Sequence, residues 1–105
     1  MSTQIDKIRR EYKARSLDEV DLLDDPLQMF LQWFDEAGKS VVLDVNAMTL
    51  ATVDSNGRPS TRIVLLKGLE NGKFIFFTNY ESKKGTDIAS NRHVSACFFW
   101  PELER

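Results

Sequence analysis

Two Asn-Gly pairs constrain this chain more than any other feature of its sequence. Asn56-Gly57 and Asn71-Gly72 each interrupt runs rich in apolar and β-branched residues. Both residues of such a pair tolerate positive φ, so each pair reads as a tight hairpin turn. Around them the pattern predicts a strand over 47–53, a returning strand from Pro59 to Lys67, and a third strand from Lys73 to Asn79. Ser82 is placed to cap a short helix running to Ser90, with Asn91 as its stop. Val94 to Trp100 reads as a fourth strand. The fold class is therefore mainly β with flanking helices, part of an antiparallel barrel or a strongly curled sheet. Four strands do not close a barrel around a filled interior. The apolar last strand implies pairing with more chain, either a continuation or a partner.

Ahead of the strands the periodicity is helical. Ile5, Ile8 and Tyr12 predict a short amphipathic helix over 4–14 with a basic face at Lys7, Arg9 and Arg10. Asp25-Pro26 opens a second helix, with Asp25 as cap, Pro26 at the first helical position and Gln28 completing a capping-box-like pair. Leu27, Phe30, Leu31 and Phe34 form its apolar stripe, expected to pack on a sheet, and Ala37-Gly38 stops it. A chain of 105 residues supports one domain: a helical segment over 1–45, then barrel strands with one short helix over 46–105.

Charge and composition exclude several function classes. Hydrophobic residues at 42% and charged residues at 29% are the balance of a soluble globular chain. With 14 Lys+Arg against 16 Asp+Glu, no global basic field draws nucleic acid or anionic lipid. No stretch approaches the roughly 18 apolar residues of a membrane span, and the N-terminus has no apolar signal core. Cys97 is the single cysteine, which rules out an intrachain disulfide, suits a cytoplasmic location and reads as a small core residue.

Two segments carry possible chemistry. Arg62-Ile63-Val64-Leu65-Leu66-Lys67 is a strand with an apolar interior bounded by two cations. Strict alternation sends Arg62 and Lys67 to opposite faces. Both reach one ligand if the strand bends or if the ligand lies along its edge; the alternative is an ordinary strand whose end charges extend to water. Phe77-Thr78-Asn79-Tyr80-Glu81-Ser82-Lys83-Lys84 ends a strand and enters a helix. It gathers free amides, two hydroxyls and two lysines where a phosphate binds well; the alternative is a solvated Lys-Lys face. His93 reads as a cap or surface residue, and Trp33 and Trp100 as core or interface aromatics. No metal-ligand spacing, dinucleotide or P-loop glycine motif, or nucleophile elbow occurs.

Taken in order, Arg9-Arg10-Glu11-Tyr12, Asp25-Pro26-Leu27 with Phe30 and Trp33, and 47–54 resemble the pyridoxamine 5′-phosphate oxidase family. So do Gly57-Arg58-Pro59, Arg62 to Lys67, Phe77-Thr78-Asn79, Ser82-Lys83-Lys84 and the closing 99–105. The resemblance implies an FMN-binding split β-barrel and a homodimer with active sites at the subunit interface. It implies oxidation of pyridoxamine or pyridoxine 5′-phosphate to pyridoxal 5′-phosphate, with O2 as acceptor and peroxide released. By motif, Arg62, Ile63, Val64, Leu65, Leu66, Lys67, Phe77, Thr78, Lys83 and Lys84 would hold FMN. Arg9, Arg10, Glu11, Tyr12 and Lys67 would bind substrate, and no catalytic side chain is assigned. Lys83 departs from the family's usual Arg, keeping charge but losing a bidentate fork. The match is to the N-terminal half of the family's fold, so this length alone is expected to be inactive and to require a partner copy or the remaining half. The alternatives are a non-catalytic FMN-binding or dimerisation module and an inactive remnant.

Overall fold

The computed structural model describes residues 5–8 and 17–105. The chain divides into two compact units, one comprising 1–41 with 100–105 and the other 42–99. Among the described residues no helix is long and apolar enough to cross a membrane.

In the first unit, helix α1 spans Pro26–Gly38. Asp25 has an extended backbone, and its carboxylate accepts from the Leu27 amide at 2.9 Å, satisfying one of the orphan donors at the helix start. Proline occupies the first turn, where it costs no hydrogen bond. The buried positions are Met29 and Ala37, whereas Leu31 of the expected stripe is 38% exposed. Phe30 and Phe34 of the stripe lie against the buried ring of Trp100 at centroid distances of 5.9 and 6.1 Å. Trp100 and Arg105 close the terminal loop through paired backbone hydrogen bonds, and the Arg105 guanidinium lies 5.1 Å from the Trp33 ring centre. The helix expected over 4–14 falls mostly outside the described residues; Ile5–Lys7 forms a single 3-10 turn.

In the second unit, β1 (Ala47–Val53) is the central strand of a three-stranded antiparallel sheet. It lies between β2 (Pro59–Leu65) and β5 (Ser95–Cys97). Two short strands, β3 (Gly68–Glu70) and β4 (Lys73–Ile75), form a separate hairpin. The two Asn-Gly turns use different geometry. Asn71 and Gly72 both have positive φ, 51° and 74°, as a two-residue turn of the primed type requires. At the first turn Gly57 alone has positive φ, 79°, while the Asp54 carboxylate accepts from the amides of Asn56 and Arg58, both at 2.9 Å.

Three strands are shorter than their apolar runs suggest. A ladder exists only where a partner runs alongside, and β5 pairs with Thr49–Ala51 alone. The returning strand stops at Leu65 because the chain changes partner there. Leu66 donates its amide to Asn46 at 2.8 Å, and Lys67 donates to Ile75 at 2.7 Å. The third strand ends at Ile75.

Alternation along β1 buries Met48, Leu50 and Thr52 on one face. On β2, Ser60, Arg62 and Val64 are half-buried, while Thr61, Ile63 and Leu65 are exposed. Helix α2 (Lys83–Ser90) packs against β1, with Asp87 bonded to Thr52. Cys97 is exposed, contrary to the core position expected for it. Cys97 and Ile63 both pair with Thr49, so all three belong to the face of β1 opposite Leu50 and Thr52. Leu50 is 1% exposed, so Leu50→Ala should lose about 2–5 kcal/mol of stability. Urea denaturation followed by circular dichroism measures this; a loss below about 1 kcal/mol would show that the site collapses around the smaller side chain.

Candidate functional site

The chemistry of the second unit gathers around a carboxylate that has left the solvent. Asp87, on α2, is 3% exposed. Such burial is sustained only by charge pairing and hydrogen bonds. The Thr52 hydroxyl donates to Asp87 Oδ2 at 2.8 Å. Lys83 Nζ reaches both carboxylate oxygens, at 3.2 and 3.3 Å, from one helical turn earlier. Arg62 Nη2 lies 4.0 Å from Oδ2. The other terminal nitrogen of Arg62, Nη1, donates to Thr52 Oγ1 at 2.7 Å and lies within hydrogen-bond range of the Leu50 and Ser60 carbonyls, at 3.2 and 3.3 Å. The Thr52 hydrogen bond above all, followed by Lys83 and Arg62, holds the Asp87 carboxyl below its ordinary value of 3.8 against the opposing effect of burial.

The helix start adds a second set of polar groups. Ser82 caps α2, accepting from the Gly85 amide at 3.2 Å and donating its hydroxyl to the Asn79 carbonyl at 2.7 Å. Thr78 Oγ1 lies 3.3 Å from Ser82 Oγ. By position, the amides of Lys83 and Lys84 have no acceptor inside the helix. At Gly85 a Cβ would come within 2.5 Å of the Asn79 carbonyl oxygen, so glycine lets the first turn lie close on the 79–80 backbone.

Of the residues expected to form a site, Arg62 and Lys83 are brought together through Asp87. Lys84 is half-buried on the same first turn of α2, and Thr78 lies beside the cap. Phe77 is 74% exposed. Val64 shares the Arg62 face of β2, whereas Ile63 and Leu65 belong to its exposed face. Leu66 is buried, and its carbonyl accepts from Asn46 Nδ2 at 2.9 Å. Lys67 is exposed beyond the end of β2, so strand alternation does not govern its direction. Arg9, Arg10, Glu11 and Tyr12 lie outside the described residues.

Sequence reasoning missed Thr52 and Asp87. Their signals were available: a hydroxyl at a buried position of an alternating strand, and an acid four residues after Lys83 in a predicted helix. Arg62, Lys83 and Lys84 against Asp87 leave a positive surplus, beside a helix N-terminus and two hydroxyls. That donor set fits a phosphate group such as the one FMN carries. Among the described residues no cluster of His, Cys, Asp and Glu could hold a metal ion.

Comparison with known proteins identifies the family and the fold. A profile of the family described as pyridoxamine 5′-phosphate oxidase matches residues 34–105. A pyridoxine/pyridoxamine 5′-phosphate oxidase of Leptospira interrogans is 53% identical over all of this chain and 49% of its own length. The protein of the same name from Cupriavidus necator is 52% identical over 98% of this chain and 49% of its own. The chain thus spans about half the length of the curated relatives it matches. PhzG from Burkholderia lata, solved with tetrahydrophenazine-1-carboxylic acid, superposes with TM-score 0.76 at 27% identity, over 83% of this chain and 44% of that one. A pyridoxamine 5′-phosphate oxidase-related, FMN-binding protein of Nostoc punctiforme gives TM-score 0.61 at 25% identity, over 73% and 41%. The fold is therefore part of the antiparallel split β-barrel of FMN-binding proteins. Within that class, this chain belongs to the pyridoxamine 5′-phosphate oxidase family.

The lowered Asp87 carboxyl makes a pH-dependent contribution to stability. Its folded-state value lies below its unfolded value, so this contribution is fully present above the unfolded value and is lost as pH falls through the folded one. The difference in thermal midpoint between the parent chain and Asp87→Asn should therefore stay constant above about pH 5 and shrink on further acidification. A gap that widens as pH falls would mean that the ionised carboxylate is not the stabilising form.

Proposed function

We propose that this chain is the FMN-gripping part of an enzyme that oxidises pyridoxamine or pyridoxine 5′-phosphate to pyridoxal 5′-phosphate, with O2 as acceptor, in the cytoplasm. The observation that carries the proposal is the constellation at the start of α2: in a chain of this family, Arg62 and Lys83 are drawn to one buried carboxylate beside a capped helix N-terminus and Lys84. FMN held there would supply the redox chemistry, hydride acceptance from the substrate and reoxidation by O2 with release of peroxide.

The chain's own residues bind and orient. Arg62, Lys84, the Thr78 hydroxyl and the α2 amides grip the FMN phosphate, with Lys83 contributing charge already partly compensated by Asp87. Ile63 to Leu65 at the end of β2, Leu66 just past it, and Phe77 border the rest of the cofactor. Lys67 meets the substrate, whose phosphate calls for cations; for Arg9, Arg10, Glu11 and Tyr12 the same role rests on the family resemblance alone. The assembly is completed by a second copy or by the remaining half of the family's fold.

The test uses the complete polypeptide that carries this segment. It should purify yellow, quench flavin fluorescence on titration with FMN, and release peroxide with either B6 phosphate. Lys84→Ala should weaken FMN about tenfold, a loss typical of one charge-assisted contact. A yellow protein that produces no peroxide from either substrate would favour the non-catalytic flavin-binding module and refute the oxidase.

A further inference from the structure

We propose that Thr52 and Asp87 are positioning residues for Arg62: the carboxylate orients the threonine hydroxyl, and the hydroxyl fixes the guanidinium that meets the cofactor phosphate. The inference deepens the function proposed above and rests on Arg62 being a phosphate ligand.

The direction of each hydrogen bond carries the argument. A threonine hydroxyl has one hydrogen to give and two lone pairs with which to accept. Thr52 spends its hydrogen on Asp87 Oδ2 at 2.8 Å, so what it presents to Arg62 is a lone pair. Arg62 Nη1 donates to that oxygen at 2.7 Å, the shortest of its three contacts. With the Leu50 and Ser60 carbonyls also in range, the two N–H groups of Nη1 are committed to the protein. Nη2 stays 4.0 Å from Oδ2, beyond hydrogen-bonding distance. Thr52 therefore stands between the two charges. The guanidinium is held along one edge, and Asp87 does not occupy Nη2 by direct bonding. Thr52 is fully buried and Asp87 nearly so, which keeps water from replacing either link. Lys83 holds the carboxylate from its other side, and α2 carries Asp87, so the same contacts tie the Arg62 guanidinium to the helix whose N-terminus forms the rest of the site.

Positioning and simple charge balance predict opposite signs for one substitution. If Asp87 were only a counter-charge, removing it would make the site more positive and FMN would bind more tightly. If Asp87 positions Arg62, the same change weakens binding. The measurement is the Kd for FMN and for riboflavin, which lacks the phosphate, on the complete polypeptide. The ratio of the two within each variant cancels any general loss of folded protein. Thr52→Val and Asp87→Asn should each weaken FMN about tenfold and leave riboflavin within about twofold, and Thr52→Ser should restore the parent ratio. In an Arg62→Gln background neither change should weaken FMN further, because residues acting through one group are not additive. Tighter FMN binding by Asp87→Asn, or an unchanged ratio in Thr52→Val, would overturn the proposal. Loss of phosphate discrimination in Arg62→Gln alone would overturn the positioning role while leaving Arg62 as a ligand. Full discrimination in Arg62→Gln would overturn the phosphate-site reading and the positioning role with it.

Discussion

Asp87 is out of water on a helix, and the elements around it are arranged to compensate for that. Thr52 comes from the central strand, Arg62 from its hairpin partner, and Lys83 from one turn earlier on the same helix. One carboxylate thus links β1, β2 and α2, and the links are directional. Apolar packing of Met48 and Leu50 explains why one face of β1 is inward. It does not specify how the helix meets that face. A buried, oriented ion-pair network supplies this geometric requirement, at the risk that removing any one partner strands the others.

Much of this was legible in the amino-acid sequence because it is local. The span of β1, the Asp25 cap with Pro26, and the Ser82 cap with the Ser90 end of α2 all rest on residues within a few positions of one another. What was not legible depends on partners distant in sequence. The ends of β2, β4 and β5 are set by where a neighbouring strand runs, and an apolar run such as 94–100 carries no mark of where pairing stops. Cys97 illustrates the same limit: its surroundings in sequence are apolar, yet it lies on the face of the sheet opposite Leu50 and Thr52. The basic half of the site was visible as charge, and its acidic organiser was not, because one aspartate in a short polar helix looks like surface.

Ile63 and Leu65 on the sheet, and Phe99 beyond its last strand, are exposed in a chain that spans about half the length of its relatives. The face with Thr52 and Arg62 is closed by α2 within the segment itself. The Thr52–Arg62–Asp87 geometry therefore rests on contacts made inside 42–99. The surroundings of the exposed face do not enter it.

The network also differs in how far along the chain its members are drawn together. Arg62 and Thr52 are 10 residues apart, across a single hairpin, whereas Thr52 and Asp87 are 35 apart. Closing the shorter loop costs less entropy, and the turn at Gly57 favours it further. During synthesis the arginine and its hydroxyl partner emerge together, well before the helix that carries the aspartate. Most of the chain-closure cost of the network therefore falls on bringing Asp87 to a hairpin that already pairs Arg62 with Thr52.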